Sequence, residues 1–180
     1  MAFLDLVRRR WSVRAYAPDP VPREMLDRCV EAARLAPSAC NSQPWTFLLV
    51  DDPERRRRLA EAAFGGVYRM NSFAAQAPVL VAVLTERSRF AALLGGFFRG
   101  VQYSLLDVGI AVEHFVLQAS EEGLGTCWLG WFDEKNVKHV LDLPAGARVD
   151  VLLSVGFPVP AEGAKPRASR KSLEEMRRYC

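Results

Sequence analysis

The sequence predicts a single α+β or α/β domain, and three observations carry that reading. Strand-like apolar runs alternate with helix-like segments along all 180 residues. No stretch repeats, and none has linker composition. Half the residues are apolar and a quarter charged, with 12 Gly, 11 Pro and a mean hydropathy near zero. A chain of this length buries roughly 70% of its unfolded surface, enough for one sizeable core. Disorder, collagen and a solenoid are excluded.

The elements follow in order. Phe3, Leu6 and Val7 repeat at helical spacing up to Arg8-Arg9-Arg10, after which Trp11 to Tyr16 reads as extended. Pro22 suits the first turn of a second helix whose apolar face is Met25, Leu26, Cys29, Val30 and Ala33, and Pro37 stops it. A polar loop, Pro37 to Pro44, runs into a strand from Trp45 to Val50. Asp52-Pro53 caps and opens a helix bearing Arg55 to Arg58 on a solvated face, and Gly65-Gly66 closes it.

A short helix around Tyr68 to Ala75 precedes the β-branched run Pro78 to Leu84, a strand buried on both faces. Residues 86–100 read as a mobile excursion. Tyr103 to Glu122 is apolar on nearly every side, so that helix belongs in the protein's middle or across a subunit interface. Gly123-Leu124-Gly125 ends it. A strand at Thr126 to Leu129, a helix capped by Asp133 and a strand at Arg148 to Gly156 follow. Ser172-Leu173-Glu174-Glu175 is a capping box for a last helix.

Charge and cysteine usage narrow the function classes. Lys+Arg 24 against Asp+Glu 21 leaves +3, too near balance for a nucleic-acid footprint or an anionic membrane partner. Cys29, Cys40, Cys127 and Cys180 are scattered and unpaired with His114 or His139, so neither a zinc site nor a disulfide framework is encoded. The N-terminus lacks the pattern of a signal peptide, and Asp107, Glu113 and His114 interrupt the longest apolar stretch. A reduced, cytoplasmic protein is the expectation.

Four constellations could carry chemistry. Alternate residues of an extended stretch place Arg10, Ser12 and Arg14 on one face, two guanidinium forks and a hydroxyl suited to a phosphate. Pro37-Ser38-Ala39-Cys40-Asn41-Ser42-Gln43-Pro44-Trp45 packs hydroxyls and amides into a stiff loop able to read the edge of a flat heterocycle. Gly123 to Phe132 combines small residues, which let a ligand approach the backbone, with flanking aromatic rings. It follows a helix instead of opening one, so it is not a dinucleotide fingerprint. The basic tail Lys165 to Lys171 could add a third guanidinium to the phosphate.

Other chemistries fall away. There is no nucleophile elbow, phosphate loop or HExxH, and two isolated histidines supply no Ser/His/Asp set. His114 reads as a hydrogen-bonded core residue and His139 as exposed. Cys40 and Cys127 read as packing residues, since nothing adjacent makes either a thiolate.

Taken in order, Arg9-Arg10-x-Ser12-x-Arg14, Pro37-Ser38-x-x-Asn41-Ser42-Gln43-Pro44-Trp45, Asp107-x-Gly109-Ile110-Ala111-x-Glu113-His114, Gly123 to Trp128 and Arg170-Lys171-x-Leu173-Glu174-Glu175 make a sequence that resembles the FMN-dependent nitroreductase family over almost its whole length. The resemblance implies an α+β fold, a central, mainly antiparallel sheet wrapped by helices, in a homodimer with two interfacial FMN sites. It implies one nitroreductase-like domain over residues 1–180, with no metal, membrane or nucleic-acid partner.

Carried over, Arg10, Ser12, Arg14 and Arg170 hold the phosphate and ribityl chain, with Trp11 contributing through its backbone. Pro37, Ser38, Ala39 and Asn41 come from the partner subunit to meet the isoalloxazine ring, and Asn71 reaches its pyrimidine edge. Trp128, Leu129 and Gly130 lie over the other face, with a backbone N–H near Gly130 directed at flavin N5. Some relatives have Glu-Gly where this chain has Gly130-Trp131, which removes an acidic residue beside the nicotinamide. Phe90, Phe97, Phe98 and Tyr103 are candidate pocket walls.

The implied activity is ping-pong hydride transfer from NADH or NADPH through FMN to an electron-poor small molecule, a nitroaromatic or quinone. No catalytic side chain is nominated, because orientation and electrostatics are the protein's share. The alternatives are a specialised relative (reductive dehalogenation, flavin fragmentation or ene reduction) and a flavin-binding protein without turnover.

Overall fold

The computed structural model describes residues 2–86, 100–159 and 169–180. The excursion read at 86–100 falls outside these except for Glu86 and Gly100, as do Phe90, Phe97, Phe98 and the tail residues Lys165 and Arg167.

Four strands, β1 (Trp45–Val50), β2 (Val79–Thr85), β3 (Gly125–Leu129) and β4 (Val149–Gly156), form one antiparallel sheet in the order β1-β2-β4-β3. Register runs from Trp45 opposite Thr85 on one side of β2 to Val79 opposite Val155 on the other. Because side chains alternate across the pleat, β2 and β4 send Val79, Val81, Val83, Leu153 and Val155 to one face. Leu80, Ala82 and Leu152 go to the other. Both faces are covered, which is why β2 reads as an unbroken apolar run although its neighbours are antiparallel.

On the first face lie α2 (Arg23–Arg34) and α4 (Tyr103–Glu121). Helix α2 buries Leu26, Cys29 and Ala33 at helical spacing, and Phe115 of α4 stacks on Phe47 of β1 at 5.6 Å between centroids. The second face is covered by α3 (Pro53–Ala63) and α5 (Glu134–Val140), through Leu59, Ala60 and Val137. Their N-caps are the expected aspartates. Asp52 accepts from the Arg55 N–H at 2.8 Å and Asp133 from that of Asn136 at 3.1 Å. A short α1 (Phe3–Arg9) opens the chain, and α6 (Leu173–Met176) carries the complete Ser172–Glu175 capping box.

The stretch expected as a short helix near Tyr68 is wound as a 3₁₀ segment, Gly66–Gln76. Helix α4, expected in the protein's middle or across a subunit interface, is not buried all round by one chain. Its Val108, Ala111, Val112, Phe115 and Val116 are buried, but Leu106 and Ile110 on the opposite side stay 56% and 38% exposed in a single chain, as does Leu105 at the helix start at 36%. An apolar stripe on each side of one helix is therefore half satisfied by this chain's own core. Tyr103, a candidate pocket wall, is half-buried at the start of α4.

Candidate functional site

The stretch Arg10 to Tyr16 is extended and fastened at both ends. Arg9 donates to the Ser120 carbonyl at 2.9 Å and to Glu121 at 3.0 Å, tying the end of α1 to the end of α4. Ser12 bridges Thr126 in parallel, with the Val13 N–H donating to the Thr126 carbonyl at 2.9 Å. Val13 and Tyr16 turn inward and are buried. On either side of inward Val13, Ser12 and Arg14 turn away from the core, as the sequence predicts, while buried Tyr16, three residues on, breaks the alternation.

Side chains around this stretch define its electrostatics. Arg14 sits over the Phe73 ring at 5.7 Å, and its guanidinium reaches the Ser12 carbonyl at 3.3 Å. The Arg10 guanidinium lies 3.9 Å from Glu113 of α4. Burial pushes the Glu113 carboxyl up, with Arg10 and His114 pulling it back. Burial also raises the Cys127 thiol, against the opposing pull of Arg14 and then Arg10. Trp11 is exposed beside a cleft of about 160 Å³ that Arg10, Gly125 and Thr126 also line.

Gly125 has a different reason from the one its motif suggests. A Cβ there would lie 2.5 Å from Val13 Cγ2, so the close approach is made by this chain's own Val13. The glycine admits the Arg10–Tyr16 stretch against β3. At the far end of β3, Trp128 is 39% exposed while Leu129 is buried, which leaves Leu129 only its backbone to offer. Gly130 is open, with nothing within 4 Å of where a Cβ would be.

Asn71 meets this end of β3. Its amide donates to the Trp131 carbonyl at 2.9 Å, the Trp131 indole donates to the Val67 carbonyl at 3.2 Å, and the Trp131 ring tilts against Tyr68 at 5.2 Å. Asn71 and Trp128 to Trp131 thus stand together. Arg170 lies exposed just ahead of α6.

The loop Pro37 to Pro44 is held elsewhere. Three non-glycine residues take left-handed backbone, Cys40 at φ 53°, Asn41 at 49° and Gln43 at 46°. Such conformations persist only where surrounding contacts impose them. Ser38 Oγ accepts from the Gln43 N–H at 2.9 Å, the Gln43 amide donates to Asn41 Oδ1 at 3.0 Å, and the Ala39 N–H donates to Asp107 of α4 at 3.0 Å. Cys40 is exposed, contrary to its reading as a packing residue. The left-handed turn carries it outward. His114, half-buried, contacts the Ala32 carbonyl at 3.2 Å, and His139 is exposed.

Helix α4 sets the spacing of the two groups. Asp107 holds the loop near one end and Ser120 holds Arg9 near the other, about 20 Å apart at 1.5 Å per residue. One chain therefore holds the two groups of candidate residues apart. The cleft at Arg10 is also smaller than the 300–1,000 Å³ or so that encloses a small-molecule ligand.

The family is shown by comparison with known proteins. A sequence model of the nitroreductase family matches residues 7–69 and 68–157, and the chain belongs to that family. It is 30% identical to an NADH dehydrogenase of Thermus thermophilus, over 93% of this chain and 91% of that protein. To an iodotyrosine deiodinase of Thermotoga neapolitana it is 28% identical, over 94% of each. The crystal structure of an FMN-dependent nitroreductase from Clostridium difficile superposes with a TM-score of 0.71 at 25% identity, covering 92% of both chains. The fold is thus the nitroreductase fold, and the chain is of an oxidoreductase family whose members include FMN-dependent flavoproteins. Among the described residues no helix is long and apolar enough to cross a membrane.

Proposed function

We propose that this protein is an FMN-dependent oxidoreductase, one domain over residues 1–180, that passes hydride from NADH or NADPH to an electron-poor small molecule such as a nitroaromatic or quinone. The observation that carries the reading is the outward presentation of Ser12 and Arg14 from an extended stretch anchored by buried Val13, with open backbone at Gly130 at the far end of the strand it pairs with. That donor set suits an anionic phosphate at one end and a flat ring laid against bare backbone at the other. Residues and group fit.

Arg10, Ser12, Arg14 and Arg170 would hold the phosphate and ribityl chain, with the Trp11 backbone beside them. Pro37, Ser38, Ala39 and Asn41 would reach the ring of the partner's site in a homodimer, a reading supported by the separation of the two groups along α4 and by its uncovered apolar stripe. The Ala39 N–H is committed to Asp107, so that residue offers its other atoms. Asn71 stands at the pyrimidine edge and also braces the Trp131 carbonyl. When bound, FMN supplies reversible two-electron chemistry at N5. The chain anchors the phosphate, lays backbone amides along the ring and positions the two substrates in turn. A cytoplasmic setting belongs to this reading and is supported by four free cysteines.

A second reading is reductive dehalogenation, supported by the likeness to an iodotyrosine deiodinase over nearly the whole chain. One experiment tests both. The purified protein is incubated with FMN, desalted, and titrated anaerobically with NADH and then NADPH. Retained flavin bands that bleach are expected. Iodide release from iodotyrosine with dithionite-reduced protein, without turnover of nitroaromatics or quinones, favours the second reading, and no retained flavin overturns both.

A further inference from the structure

Asp107 is 4% exposed, the one carboxylate buried in the core among the described residues. It lies in α4 on the same helical stripe as Ala111, next to Val108, where an apolar residue would serve stability better. One oxygen accepts the Ala39 N–H at 3.0 Å, and the other, also buried, has no hydrogen-bond partner among the described residues. A buried carboxyl oxygen left without a hydrogen-bond partner is costly to keep. A core built only for stability would not carry it.

The hydrogen bond enters the loop at a significant place. Ala39 opens the turn in which Cys40, Asn41 and Gln43 all have positive φ, and no glycine is present to make that conformation intrinsic. Within the turn, Ser42 Oγ donates to the Ala39 carbonyl at 2.5 Å and Ser38 Oγ caps the Gln43 N–H, so the peptide at Ala39 is the node on which the turn closes. Asp107 fixes that node to α4, the helix whose opposite stripe is uncovered in one chain.

We propose that Asp107 is a positioning residue: its buried carboxylate locks the Ala39 amide and so holds the Ser38–Gln43 turn in the left-handed form that presents Ser38 and Asn41 to the flavin. The inference rests on the reading of that loop as part of the FMN site.

The test compares Asp107→Ala, Asp107→Asn and Ala39→Pro in the full-length chain, by amide hydrogen exchange of residues 40–43 and by FMN fluorescence titration. Asparagine keeps an acceptor for the Ala39 N–H. Proline removes the donor and sets its Cδ against the Asp107 oxygen, a second way to break the contact, and Ser38 already has the extended backbone that a residue before proline requires, φ −147° and ψ 155°. Ala and Pro variants are expected to exchange faster across the turn and to bind FMN about tenfold or more weakly, the scale of one hydrogen bond to a charged group. Asp107→Asn restores most of both, and the circular dichroism of bound flavin follows the same order.

Wild-type exchange in both Asp107→Ala and Ala39→Pro overturns the lock. So does an Asn variant as impaired as Ala. Faster exchange with unchanged FMN affinity overturns the link between turn and cofactor. A wild-type protein that binds no FMN overturns the functional reading, while the exchange arm still decides whether Asp107 holds the turn.

Discussion

The hydroxyl of Tyr16 lies 2.7 Å from that of Ser154 and donates to the Val13 carbonyl at 2.8 Å, joining the Arg10–Tyr16 stretch to the middle of the sheet. Both side chains are buried, and burial holds the Tyr16 phenol well above its ordinary range. Tyr16→Phe leaves Ser154 Oγ and the Val13 carbonyl short of a partner. We expect about 1–3 kcal/mol of lost stability in urea unfolding. FMN affinity should fall with it, because Ser12 and Arg14 flank the loosened carbonyl. Unchanged unfolding would show the pair to be incidental.

Gly125→Ala tests the close approach of the same stretch to β3. The new methyl would meet Val13, itself buried, so one backbone must move. Overpacking of this kind typically costs about 1–3 kcal/mol. Gly130→Ala, where a Cβ meets nothing, should leave stability unchanged. Thermal melts of the two variants check the contrast, and equal melting points would refute it.

Arg14→Ala should weaken FMN binding by about 1.5–3 kcal/mol, the loss of a charge-assisted contact. Arg14 is exposed and joins no ion pair among the described residues, so unfolding should be little affected. A flavin titration separates the two effects. Wild-type affinity would remove Arg14 from the site.

How much of this was legible in the sequence differs from residue to residue. Alternation around Val13 was enough to orient Ser12 and Arg14, but it does not extend to Tyr16, which is buried where strict alternation would expose it. The caps at Asp52, Asp133 and Ser172 were legible for the same local reason. The turn at Cys40, Asn41 and Gln43 was not, since no glycine marks its positive φ and the contacts that impose it come from elsewhere. Asp107 read as a break in an apolar run and as the first residue of a helical motif, with no partner assigned to it. Its partner is in a loop 68 residues earlier, and nothing local to α4 announces it. Gly125 was legible as a site of close approach, but what approaches it, Val13, is a tertiary fact.

Glu113 gives a pH-dependent signature. Burial raises its carboxyl despite the pull of Arg10 and His114. A carboxyl raised in the folded state contributes stability that is fully present below its unfolded pKa and is lost as pH rises through its folded pKa. Glu113→Gln should therefore be at least as stable as wild type at neutral pH, with the advantage vanishing in acid below the carboxylate range. Urea unfolding across that range checks the sign. A larger advantage in acid would show that the Arg10 pair outweighs burial.

The apolar stripe of α4 makes the strongest demand on a second copy. Leu106 and Ile110 face away from the core, and the loop anchored at Asp107 lies about 20 Å along the helix from the Arg9 anchor. If two chains cover this stripe and each brings its loop to the other's Arg10–Arg14 stretch, dimerisation and flavin binding become one event. Wild type should sediment as a dimer at micromolar concentration. Leu106→Glu and Ile110→Glu, each placing a charge in the covered stripe, should shift it to monomer and lose FMN together, with helical content retained by circular dichroism. A wild-type monomer that binds FMN tightly would break the argument, because one chain would then suffice to build the site.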